Sequence, residues 1–115
     1  MEEKQTYKVE SRIWISTDSG MYLGRGRIRL LEEIDRFGSI AKAAEAMEMS
    51  YKKAWKLIKS MNEASPSPLL DKKIGGTGGG GSELTVEGKR VVSLFNELEK
   101  DQQNLLDKRF KKSNF

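Results

Sequence analysis

Apolar and polar positions alternate at the start of the chain. Tyr7, Val9, Ile13 and Ile15 fall on one side of an extended backbone, and Lys8, Glu10, Arg12 and Trp14 on the other. That period of two predicts a half-buried strand over 7–15. Thr17-Asp18-Ser19-Gly20 reads as a turn and Met21-Tyr22-Leu23 as a short returning strand. After Gly24 and Gly26 the period changes. Leu30, Leu31, Ile34 and Phe37 recur at helical spacing from Arg27 to Phe37, with charged residues between them, and Gly38 stands where a left-handed helix cap belongs.

Ser39 is placed to cap a short Ala-rich helix reaching about Met47, and Ser50 to cap another from Tyr51 to about Ala64. Glu48 and Met49 leave just enough chain for a tight turn between them. Pro66 and Pro68 forbid continuation of the second of these helices. Leu69 to Ile74 reads as a strand, Gly75 to Ser82 as a loop and Glu83-Leu84-Thr85 as a returning strand. Thr85 can cap a long helix from Val86 to about Lys112. Two helices across a tight turn followed by strand, loop and strand are the order of a winged helix-turn-helix. The expected fold is therefore α+β, one domain over 1–115. Its parts are a hairpin at 7–23, three helices within 27–64, a wing at 69–85 and a C-terminal helix at 86–112.

Composition narrows the chemistry. The 115 residues contain neither His nor Cys. A disulfide framework, a thiol nucleophile, an imidazole base, a Ser-His-Asp triad and the usual Cys/His zinc site are thereby excluded. No pair of carboxylates stands out as an acid–base couple, so the expectation is no enzymatic activity, no cofactor and no metal. No apolar run approaches the roughly 20 residues that a spanning helix needs. The first residues, Met1-Glu2-Glu3-Lys4-Gln5, lack the apolar stretch of a signal peptide, so a cytoplasmic location is expected. The net charge of +4 is only mildly suggestive of a nucleic-acid partner.

The helix that begins after Ser50 is more informative. Ala54, Leu57, Ile58 and Met61 share one face, Lys52, Lys56 and Lys59 the opposite one, and Lys53 lies at its flank. Four lysines and no acid lie between Ser50 and Ser60, whereas a solvated helix usually mixes signs in i,i+4 pairs. An uncompensated lysine face is what a phosphate backbone attracts, with counterion release supplying affinity. Tyr51 and Trp55 stand at the border of the two faces, where aromatics ordinarily finish the core; the Tyr51 hydroxyl can also reach a phosphate or a base edge. Ser39 and Ser50 can combine capping with phosphate contact, because free amides remain at each helix start.

Six of the eleven glycines lie in Gly75-Gly76-Thr77-Gly78-Gly79-Gly80-Gly81-Ser82. A P-loop would need Lys-Ser/Thr after its last Gly, and here Ser82-Glu83 follows. Gly24-Arg25-Gly26 lacks the third glycine of a dinucleotide fingerprint. A wing passing close to DNA accounts better for the missing side chains, with Lys72, Lys73, Thr77, Gly78 and Gly79 as its contact residues.

The last helix would be roughly 40 Å long at 1.5 Å per residue. Val91, Phe95, Leu98, Gln102 and Leu105 follow the 4-3-4-3 spacing of a paired-helix seam, which predicts a homodimer joined through Val91, Phe95, Leu98 and Leu105.

Several of these stretches together are similar to one family. Gly38-Ser39-Ile40, Ala43-Ala44, Ser50-Tyr51-Lys52-Lys53-Ala54-Trp55, the glycine loop and Leu84-Thr85-Val86-Glu87-Gly88 resemble the N-terminal domain of the ModE-type molybdate-responsive transcription regulators, a winged helix related to that of LysR-type regulators. The similarity covers roughly residues 20–100. It implies operator binding as a dimer, with the helix after Ser50 as recognition helix and the glycine loop as wing. Fuller members carry C-terminal oxyanion-binding domains. Nothing in this chain matches them, so no molybdate site is expected here. The chain then reads either as a stand-alone DNA-binding form or as part of a longer regulator, and the charged tail Lys108-Arg109-Phe110-Lys111-Lys112 slightly favours the former.

The combined expectation is a dimeric, sequence-specific DNA-binding regulator that docks Ser39, Ser50, Tyr51, Lys52, Lys53, Lys56 and Lys59 on duplex DNA, with no membrane partner. The rival is a winged-helix adaptor that binds protein and needs no lysine face.

Overall fold

A computed structural model describes residues 3–73 and 81–115. Strands β1 (Trp14–Thr17) and β2 (Gly20–Gly24) form an antiparallel hairpin. Helices α1 (Arg25–Phe37), α2 (Ile40–Ala46) and α3 (Tyr51–Ala64) follow, then the antiparallel pair β3 (Leu70–Lys73) and β4 (Gly81–Leu84), and finally α4 (Val86–Phe110). This is an α+β winged helix-turn-helix. Among the described residues no helix is long and apolar enough to cross a membrane.

One core holds the pieces together. Ile28, Leu30, Leu31 and Ile34 of α1 meet Ala43 and Ala44 of α2, Ala54, Ile58 and Met61 of α3, Leu69 just before β3, and Leu70 and Leu84 of the strand pair. Caps mark the stop of α1 and the starts of α2, α3 and α4. Gly38 adopts φ 67° and donates its N–H to the Ile34 carbonyl at 2.7 Å, a left-handed stop that glycine takes without steric cost. The Ser39 hydroxyl accepts from the Lys42 amide at 3.2 Å, that of Ser50 from Lys53 at 3.1 Å, and that of Thr85 from Gly88 at 3.0 Å. Between α2 and α3, Glu48 takes a left-handed φ of 55°, and this lets the Met49 amide bond back to Ala44 at 3.0 Å.

Several boundaries differ from expectation, each for a visible reason. The strand expected over 7–15 pairs only from Trp14, because β2 offers just five residues before α1 begins. Residues 7–13 lie beside α4 instead: Gln103 Nε2 donates to the Val9 carbonyl at 2.8 Å, and Ile13 packs against the core. Helix α1 starts two residues early, at Arg25. That side chain donates to Asn96 Oδ1 of α4 at 2.7 Å, lies 3.4 Å from Glu99, and places its guanidinium 5.5 Å from the Phe95 ring centre. Gly81 and Ser82, expected in the loop, belong to β4, where they pair with Lys73 and Lys72. The Ser82 amide also reaches the Gly38 carbonyl at 3.0 Å, so the strand pair is tied to the start of the helix-turn-helix.

The expected seam of α4 is corrected most. Val91 and Phe95 are buried in this chain's own core, because α1 and β4 pack against the first half of the helix. They are not free to face a partner. Leu98 (39% exposed) and Leu105 (63% exposed) do remain at the surface.

Candidate nucleic-acid interface

Helix α3 stands as a ridge on the outside of the helix-turn-helix. Its inward face is spent on Ala54, Ile58 and Met61, all buried, with Leu57 half-buried. Because the helix repeats every 3.6 residues, that choice turns Lys52, Lys53, Lys56 and Lys59 outward, and all four are exposed. Among the described residues none of them lies within ion-pair distance of a carboxylate. The cations recognised from spacing are thus displayed together and uncompensated, over the first three turns after the Ser50 cap.

The two flanks of the ridge differ. On one side a hollow of about 490 Å³ is lined by Ser50, Lys52, Lys53, Lys56 and Arg27. On the other, an open groove of about 640 Å³ separates α3 from the strand pair and is lined by Tyr51, Trp55, Lys59 and Lys72, among others. Tyr51 is 55% and Trp55 46% exposed. This corrects the expectation that they finish the core: Ile58 and Leu70 are buried here, and the two rings line the open groove instead. Lys59 Nζ lies 5.3 Å from the Trp55 ring centre, within range of a cation–π contact.

Ser39 is half-buried at the start of α2, with its hydroxyl engaged in the cap. Ser50 is exposed and likewise engaged. Lys72 is exposed on β3, and Lys73 follows it in the same strand. Thr77, Gly78 and Gly79 lie outside the described residues.

Arg27, an ordinary polar position of α1 by its spacing, joins the lysine cluster in the fold. Its Nη1 donates to the carbonyls of Met21 and Tyr22, both at 3.1 Å, and approaches Ser60 Oγ at 3.4 Å. One half-buried guanidinium thus links the hairpin to the lysine helix and adds a cation to its flank. No local spacing signals this, since the partners come from two other elements.

Comparison with known proteins places this arrangement. Residues 26–89 match the family described as "Bacterial regulatory helix-turn-helix protein, lysR family", a span that runs from α1 through the strand pair into α4. The chain is 45% identical, over 85% of its length, to the "Molybdenum transport protein ModE" of Azotobacter vinelandii, covering 36% of that protein. It is 39% identical over 83% of its length to the "Transcriptional regulator ModE" of Haemophilus influenzae, covering 37%. To the "DNA-binding transcriptional dual regulator ModE" of Escherichia coli K12 it is 42% identical over 70% of its length, covering 31%. The chain thus spans about a third of the length of these curated relatives. With its helix-turn-helix, strand pair and capped boundaries falling inside the matched residues, the chain belongs to the lysR family of bacterial regulatory helix-turn-helix proteins.

Proposed function

We propose that this chain is the DNA-binding part of a cytoplasmic transcription regulator, and that α3 enters the major groove while β3 and β4 carry a wing along the neighbouring backbone. The observation that carries the reading is the exposed row of Lys52, Lys53, Lys56 and Lys59 on the second helix of a helix-turn-helix, with no carboxylate offsetting it among the described residues. Such a helix places its first residues at base edges, and lysine suits both phosphates and the O6/N7 edge of guanine. Lys72, Lys73, Thr77, Gly78 and Gly79 serve the wing, and Ser39 and Ser50 bring helix-start amides to phosphates. The role is binding, not catalysis: a chain without His or Cys has neither the usual proton shuttle nor a thiol nucleophile.

The regulator acts as a homodimer through the second half of α4. Leu98 and Leu105 lie one heptad apart and exposed, and a two-fold dimer supplies two recognition helices for two half-sites. The relatives' names support the regulatory reading.

Selection of duplexes from random-sequence DNA by the full chain tests it. The expected result is enrichment of a two-fold symmetric site with half-sites about one helical turn apart. A folded protein that enriches no sequence would favour the adaptor reading.

A further inference from the structure

We propose that Trp55 is a specificity-determining residue that reads thymine, packing its indole on the C5-methyl group in the major groove. The inference deepens the DNA-binding reading and rests on it. Trp55 lies one turn after Tyr51, in the part of α3 whose residues would meet base edges. It is nearly half exposed, although large aromatics in a domain of this size are normally drawn into the core. Lys59 lies against the ring at 5.3 Å and Lys56 follows on the helix, while the groove beside the ring carries Lys72 together with Glu63 and Asp71. The ring thus borders the lysine face of α3, which suits a polyanion.

Within a major groove the one prominent apolar feature is the thymine methyl; the other base edges present donors and acceptors. The lysines of α3 can answer acceptors and phosphates but not a methyl group. Trp55 supplies the apolar surface that they lack, and Lys59 holds a cation against its ring beside the phosphate row.

The test replaces, one at a time, each thymine of a duplex selected by the full chain with uracil, which removes only the methyl group. Wild-type protein is expected to bind about fourfold more weakly at one or two positions, as suits one buried methyl. Trp55→Ala, folded by thermal melt because the side chain is exposed, is expected to bind thymine and uracil duplexes equally while keeping the wild-type salt slope, since no phosphate contact has been removed. Trp55→Phe is expected to retain the uracil penalty. Uracil tolerated at every position by the wild type, or a penalty that persists in Trp55→Ala, overturns the inference while leaving DNA binding intact. Failure to select any duplex overturns the DNA-binding reading, and this inference with it.

Discussion

Gly88 of α4 lies directly against the backbone carbonyl of Leu69, so closely that a Cβ at this position would overlap the oxygen and also press on Leu84 Cδ2 at 3.2 Å. The same Leu69 carbonyl accepts the Thr85 amide at 3.0 Å, and the Thr85 hydroxyl donates to the Pro68 carbonyl at 2.6 Å while accepting from Gly88. The start of α4 is thereby locked to the residues just before β3, which the Leu69 amide also ties to α3 by donating to Asn62 Oδ1 at 2.8 Å. Gly88→Ala is expected to destabilise the protein by about 1–3 kcal/mol, the usual cost of overpacking. Urea unfolding measures it. A midpoint equal to or above wild type would show that the backbones separate without cost.

Burial divides α4 into a buried first half and an exposed second half. Phe95→Ala is expected to cost about 3–5 kcal/mol, because a fully buried aromatic leaves a cavity. Leu98→Asp is expected to leave the unfolding of the monomer within about 0.5 kcal/mol of wild type, as exposed positions usually do, yet to convert a dimer to a monomer by placing charge at its own symmetry mate. Sedimentation equilibrium at tens of micromolar separates the two effects. A wild-type protein that is already monomeric there would remove the role assigned to Leu98 and Leu105.

The turn between α2 and α3 stores a small conformational cost. A left-handed residue with a Cβ is disfavoured by roughly 1–2 kcal/mol, and Glu48 occupies that region with an exposed side chain. Glu48→Gly removes the clash but adds freedom to the unfolded chain. The net expectation is a gain of up to about 1 kcal/mol in thermal or urea unfolding. A loss would mean that the carboxylate contributes more than its backbone costs.

How far the sequence discloses this structure depends on whether the cause is local. Ser39, Ser50 and Thr85 are legible as caps because a hydroxyl one residue before a helix bonds within its own first turn. The lysine face is legible because periodicity alone separates it from Ala54, Ile58 and Met61. Heptad spacing, in contrast, does not say which protein supplies the opposite wall, and Val91 and Phe95 find theirs in α1 and β4 of the same chain. Alternation over 7–13 suits a chain laid along a helix as well as it suits a strand, and the shortness of β2 decides between them. Arg27 and Gly88 draw their roles from contacts with elements distant in sequence. Tyr51 and Trp55 are exposed because they line the open groove between α3 and the strand pair, which no pattern within α3 records.

A salt series of duplex titrations tests the lysine face of α3 most directly. With a selected duplex, the affinity of wild-type protein is expected to fall linearly on logarithmic axes as salt rises, through counterion release. Lys52→Ala and Lys56→Ala, both at exposed positions, are expected to fold normally. A lysine that holds a phosphate should lower the slope by about 1 when removed, uniformly across sequences; one that reads a base should cost about 1–3 kcal/mol and relax preference at a single position. Wild-type affinity and wild-type slope in both folded variants would contradict the assignment of α3 as the recognition helix.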